Sequence, residues 1–196
     1  MLWFVLGLVL FFGAHTVPII PAARANAIQN LGATGYQAAF GIVSLAGLVL
    51  IAWGYSDLRG AEINPILYNP PTWTRHIALL LMIPAMIALA AAYVPSRIRT
   101  VLKHPMLVAI KIWALAHLLA NGDLISVVLF GGFLAWAVVD RISVKKRGAM
   151  GPLGAKTGGL TGDLIAVAVG LGAYAFLLFY GHAWLFGVAP VPSLSA

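Results

Sequence analysis

Apolar residues gather into six long runs separated by short polar or glycine-rich stretches. The runs cover about Leu2–Ile20, Tyr36–Tyr55, Trp73–Val94, Pro105–Asn121, Asp123–Val139 and Asp163–Val188. Each is apolar nearly throughout, where a half-buried strand would alternate and a surface helix would show a polar stripe. A helix needs roughly 20 residues to cross a bilayer, so the fourth and fifth runs are short. Gly122 and Asp123 between them predict a tight hairpin at one membrane surface. The pattern predicts an all-α, polytopic integral membrane helical bundle of about six transmembrane helices, forming a single transmembrane domain over residues 1–196.

Composition sharpens this. Hydrophobic residues make up 62% of the chain and charged residues 9%, against about 25% charged in an average soluble domain. The net charge of +7 points to membrane orientation and not to nucleic acid, because the cations fall between the apolar runs. Arg24, Arg97, Arg99, Lys103, Arg141, Lys145, Lys146, Arg147 and Lys156 belong to the loops on one side; Arg59 and Arg75 belong to the other. Basic loops stay cytoplasmic, so both termini are expected on the periplasmic side of a bacterial inner membrane. Ala25-Asn26-Ala27 resembles a small-residue cleavage site, but the leading segment carries no cation before its apolar run, which favours a retained first helix. Cysteine is absent, which excludes disulfides, thiolate catalysis and cysteine-ligated metals.

Chemistry is concentrated in one stretch, Lys103-His104-Pro105 through Trp113, His117 and Asn121 to Asp123. Ionisable groups at membrane depth are costly and mark functional positions. The histidines are His15, His76, His104, His117 and His182, and neutral imidazole is the commonest metal ligand. Facing histidines from two helices can hold a haem iron from both sides. Counted at about 1.5 Å per residue, His117 lies roughly 18 Å from the start of its run and His182 about 28 Å from the start of its own. His15 lies about 21 Å in from the opposite face. Depth alone leaves His15 and His182 as rival partners of His117. His76 opens the third run and is expected to be interfacial. Asn121 and Trp113 share a helix face with His117; Asn121 either orients the imidazole or caps the helix. Lys111 either snorkels to the interface or meets a haem propionate.

His104 precedes a helix start, a place suited to a carboxylate, a phosphate or a lipid headgroup. Gly154-Ala155-Lys156-Thr157 faintly echoes a phosphate loop, but the glycine before the lysine and the preceding strand are missing. A flexible surface loop is the expected reading. Small residues at helical spacing, Gly131 with Ala135 and Ala166 with Gly170, suggest close helix packing.

His104-Pro105, Trp113 and His117-Leu118-Leu119-Ala120-Asn121-Gly122-Asp123, with Gly13-Ala14-His15 in the first run, resemble the signature of the NnrU family of bacterial membrane proteins. The resemblance covers essentially the whole chain. The family is linked by name to denitrification and is similar to the plant and cyanobacterial 15-cis-ζ-carotene isomerases, membrane haem b proteins. The resemblance implies haem b, with His15 and His117 at the positions of the ligating histidines and His104 in the His-Pro motif. The plant enzymes carry a cysteine three residues before the second histidine; here that residue is Ala114, so a change of iron ligand to thiolate is excluded. A fainter similarity, the basic-His-Pro corner, is to isoprenylcysteine carboxyl methyltransferases, which bind S-adenosylmethionine there. Met106, Leu107 and Val108 stand where that group usually carries tyrosine and glycine.

The expectation is therefore a haem b-binding membrane protein. His15 and His117 hold the iron, with His182 the rival second ligand, and His104, Lys111, Trp113 and Asn121 serve the cofactor. Its chemistry would be redox, or cis-trans isomerisation of a lipid-soluble, polyene-like substrate, or support of denitrification. The alternatives are an S-adenosylmethionine-dependent methyltransferase and a cofactor-free accessory protein whose histidines hydrogen-bond between helices. The lipid bilayer is the one partner implied directly by composition; a hydrophobic small molecule is the expected substrate class, and nucleic acid is not.

Overall fold

A computed structural model describes residues 1–191. All six apolar runs are helical, and the fold is all-α, with a single isolated bridge, Ile66 to Asp123, as the extended pairing among the described residues. Among the described residues five helices are long and apolar enough to cross a membrane, and Pro105–Ala120 is a shorter apolar helix. The chain is a multi-pass membrane protein. It divides into two compact units, Met1–Pro65 and Ile66–Ala196.

The first unit is a helical pair. α1 (Leu2–Thr16) continues through a short 3₁₀ turn, Val17–Ile19, to α2 (Pro21–Leu58). The helix starts at Pro21, well before the expected Tyr36, because proline is preorganised for the first helical position and alanines at 22, 23, 25 and 27 favour continuation. Gly32, at φ 72° and ψ 166°, kinks it. Glycines at three levels let the two backbones touch. A Cβ on Gly7 would stand 2.6 Å from the Ile51 nitrogen, and one on Gly54 would stand 2.5 Å from the Phe4 nitrogen. Gly47 faces Phe11 in the same way.

The second unit contains α3 (Thr72–Ala91), α4 (Arg97–Leu102), α5 (Pro105–Ala120), α6 (Leu124–Arg147), α7 (Leu160–Phe176), a π-helical turn (Leu177–Gly181) and α8 (His182–Phe186). α3 packs on α5 and α7, and α5 packs on α6. Small residues make these contacts close: Ala85, Ala88 and Ala91 of α3, Ala114 and Ala116 of α5, and Ala166 and Gly170 of α7 are buried. A Cβ on Gly170 would stand 2.6 Å from the Ile87 Cα, so the Ala166–Gly170 seam is real. Gly131 and Ala135 form none. Gly131 has open space where a Cβ would go and Ala135 is exposed, because α6 buries the face of Ile125, Leu129, Phe130, Phe133 and Ala137 instead.

Two stretches read as basic loops are helical. Ser96 caps α4 by accepting from the Arg99 amide at 3.1 Å. α6 runs past Val139 to Arg147, placing Lys145, Lys146 and Arg147 at its carboxyl end, where cations complement the dipole, until Gly148 ends it at φ 59°. Between α4 and α5 the chain turns at Lys103, the one non-glycine residue with positive φ (61°) among the described residues. His104 then precedes Pro105, and the residue before a proline avoids helical geometry.

Candidate functional site

The site is built at the carboxyl end of α5, which is tied down with unusual completeness. The last carbonyls of a helix have no partner within it. Here the Thr74 hydroxyl of α3 shares its proton between the Leu119 and Pro71 carbonyls, both at 2.7 Å, and the Tyr68 hydroxyl shares its proton between the Asn121 carbonyl at 2.8 Å and the Leu118 carbonyl. Asn121 donates its side-chain amide to the His117 carbonyl at 2.9 Å. Burial, and then the Asp123 carboxylate, push the Tyr68 phenol above its ordinary pKa, so it stays a donor. Asp123 accepts from the Ser126 amide at 3.1 Å and the Ser126 hydroxyl at 2.7 Å, capping α6. The Leu67 amide donates to the Gly122 carbonyl at 2.8 Å, which clamps the hairpin. Asn121 thus caps the helix, and the same bond fixes the turn that carries His117.

His117 sits one turn above this end in an aromatic box. Its ring lies 4.5 Å from Phe130 at 28° and 5.1 Å from Trp113, and Trp113 packs edge-on against Phe130 and Phe133. Its Nδ1 pairs with the Trp113 carbonyl at 2.8 Å. A carbonyl accepts only, so Nδ1 carries the proton and the lone pair is left on Nε2.

His182 comes to the same place. Its ring centroid is 6.4 Å from that of His117, with the ring planes 18° apart, and its Nδ1 pairs with the Val188 carbonyl at 2.7 Å. The π-helical turn Leu177–Gly181 immediately precedes it. Such turns insert one residue into a helix, rotate the residues beyond it, and recur at functional sites. The depth count set His117 and His182 about 10 Å apart because it started α5 and α7 at one level. The observed centroid separation of 6.4 Å is shorter than that count.

His15 belongs to the first unit. It shows the same local arrangement: Nδ1 pairs with the Phe11 carbonyl at 2.8 Å, and the ring stacks 4.0 Å from Phe11 and 4.9 Å from Phe40. Phe40 also lines a cavity of about 230 Å³ with Pro18, Arg24, Tyr36 and Gln37. Trp113, His117 and Asn121 are together, as their spacing requires. His104 is not with them: thirteen residues of α5 separate it from His117, about 20 Å. Lys111 is about 9 Å along α5 from His117 and a third of a turn around it, with no hydrogen bond or ion pair among the described residues. His76 is exposed at the start of α3. Sequence reasoning did not single out Tyr68, Thr74, Phe130 or Phe133. Phe130 and Phe133 stand at helical spacing on α6, a signal shared with any lipid-facing pair.

No group of three or more histidine or acidic side chains able to hold a metal ion occurs among the described residues. No curated protein and no solved structure matches the chain. The model of the family described as NnrU protein matches residues 3–190, and the chain therefore belongs to the NnrU family.

Proposed function

We propose that this protein binds haem b in the bacterial inner membrane, where His117 and His182 would hold it, with both termini facing the periplasm. The observation that carries the reading is the paired imidazoles. The two ring centroids lie 6.4 Å apart with their planes 18° apart, so both imidazoles would be at hand to hold one iron. In both rings Nδ1 is held by a carbonyl, the outer hydrogen bond that fixes a ligating tautomer and raises its basicity. Two imidazoles make a poor site for a bare ion. They suffice for a cofactor that brings its own equatorial nitrogens.

When bound, haem supplies one-electron chemistry. The chain's residues orient and shield. Tyr68, Thr74 and Asn121 hold the end of α5 in place, and Trp113 and Phe130 wall His117 from water. The surrounding lipid and apolar helices favour a lipid-soluble substrate, for redox chemistry or cis-trans isomerisation of a polyene-like molecule. Support of denitrification is the physiological setting the family name suggests. His15, in the first unit, keeps the same tautomer.

Both alternatives draw less support. The cavity beside His104 is lined by cations with no carboxylate, a poor host for a sulfonium cofactor. In a cofactor-free accessory protein the histidines would bridge helices, whereas His117 bonds its own helix and His182 its own following turn. The test is an absorption spectrum and haem assay of detergent-purified protein made in haem-replete cells. A Soret band with near-stoichiometric haem, lost in His117→Ala, is expected; a well-folded, colourless, iron-free protein overturns the reading.

A further inference from the structure

A second cavity, with a partly polar lining, lies at the amino-terminal end of α5. About 300 Å³ in volume and open on one side, it lies between the α4–α5 turn and the loop that follows α6. Arg99, Thr100, Lys103, His104, Lys156 and Thr157 supply its polar lining. Arg99 is only 6% exposed. Its guanidinium donates to the Gly154 carbonyl at 2.6 Å and to the Lys156 carbonyl. Those bonds tie down the glycine-rich loop that sequence alone suggested was flexible, but they leave the charge unneutralised.

A buried cation is tolerated when it is paired. Among the described residues no carboxylate pairs with Arg99. Asp163 is held by Arg97 at 2.6 Å and by the Ile98 amide at 3.0 Å. Asp140 pairs with Arg147 at 3.5 Å, and Asp123 caps α6 at the other end of α5. Three cations, two hydroxyls and an imidazole therefore face a cavity without an acid on its wall. The loop does not act as a phosphate loop, since it turns carbonyls and not amides to Arg99. Side chains would hold the missing charge.

From the cavity, its cations and the uncompensated buried guanidinium, we infer that this pocket binds a phosphate group, with Arg99 as its buried counter-charge and Lys103 and Lys156 as its mobile donors. Multiply charged phosphate matches three cations better than a carboxylate does. The group belongs either to an anionic phospholipid headgroup or to a soluble phosphate ester. The inference does not rest on haem, because His104 is about 20 Å along α5 from His117. Desolvation, and then Arg141 and Arg99, hold the His104 imidazole below its ordinary pKa, with Asp140 opposing. A bound phosphate reverses that balance.

The experiment measures thermal protection of the purified full-length protein. One arm adds inorganic phosphate or glycerol 3-phosphate in detergent. The other compares nanodiscs of phosphatidylcholine alone with nanodiscs containing phosphatidic acid. Arg99→Gln risks freeing the loop, so the working variant is Lys103→Gln with Lys156→Gln, both exposed. Lys145→Gln with Lys146→Gln removes equal charge outside the cavity and serves as control. Protection by soluble phosphate assigns a soluble ligand, and protection by phosphatidic acid alone assigns a headgroup. Either supports the inference if the Lys103/Lys156 variant weakens binding at least tenfold and the control does not. No protection in either arm, or equal loss in both variants, overturns it.

Discussion

Alanine placed at three glycines should change stability with opposite signs. At Gly170 the new methyl would stand 2.6 Å from the Ile87 Cα and 2.8 Å from its nitrogen. Both are backbone atoms and cannot swing aside, so α7 and α3 must part by about 0.8 Å to reach the 3.4 Å of an ordinary contact. Overpacking of this kind costs about 1–3 kcal/mol, while replacing a helical glycine by alanine returns about 0.5–1 kcal/mol. The net loss is about 0–2.5 kcal/mol, with a mid-range value of about 1 kcal/mol. Gly172, two residues on in the same helix, and Gly131 of α6 have nothing within 4 Å of a new Cβ. There only the gain of about 0.5–1 kcal/mol remains. At roughly 2–4 °C per kcal/mol for a chain of this size, Gly170→Ala should melt several degrees lower in one detergent and Gly172→Ala and Gly131→Ala slightly higher. Tryptophan fluorescence against temperature reads all three. Gly170→Ala melting with or above Gly172→Ala would refute the close α3–α7 approach.

Other outcomes are expected from the same structure. Thr74→Val removes a buried donor from the end of α5 and should cost about 1–3 kcal/mol, seen as a lower melting point and faster amide exchange at Leu118–Asn121. Deleting Leu178 should convert the π-helical turn to α-helix and rotate His182 about 100°; axial ligation should be lost while circular dichroism keeps its helical signal, and retained ligation would contradict the role given to that turn. Because folding depresses the His104 pKa, the folded state favours its neutral form. The associated stability is fully present above the ordinary histidine value and is lost as pH falls from there through the depressed folded value. Melting points at pH 8 and pH 5.5 should therefore converge in His104→Gln relative to the unaltered chain, and saturating phosphate should shrink the difference further.

Much of the fold was legible because lipid imposes a long apolar run on every crossing helix. The runs gave the helices, and the acid at 123 and the proline at 105 marked helix starts that the structure retains. Starts and ends set by local propensity were not visible in hydropathy: Pro21 opens α2 inside a polar stretch, Ser96 caps a short basic helix, and α6 continues through its cations. Small-residue spacing flagged both Gly170 and Gly131. Spacing records which residues share a face but not whether another helix lies against it. At the site, Trp113, His117 and Asn121 come together by spacing along one helix. The approach of His182 does not, since it depends on a π-helical turn and on the relative level of two helices. Tyr68 and Thr74 reach α5 across about fifty residues of sequence, and no local pattern announces that.

The most direct test is electron paramagnetic resonance of the oxidised, haem-loaded protein with each of three histidines replaced in turn. Two imidazoles on one iron give a low-spin six-coordinate signal. The account predicts that signal in the unaltered chain and in His15→Ala, a high-spin five-coordinate signal in His182→Ala, and loss of haem in His117→Ala. A low-spin signal that survives in His182→Ala and disappears in His15→Ala would contradict it.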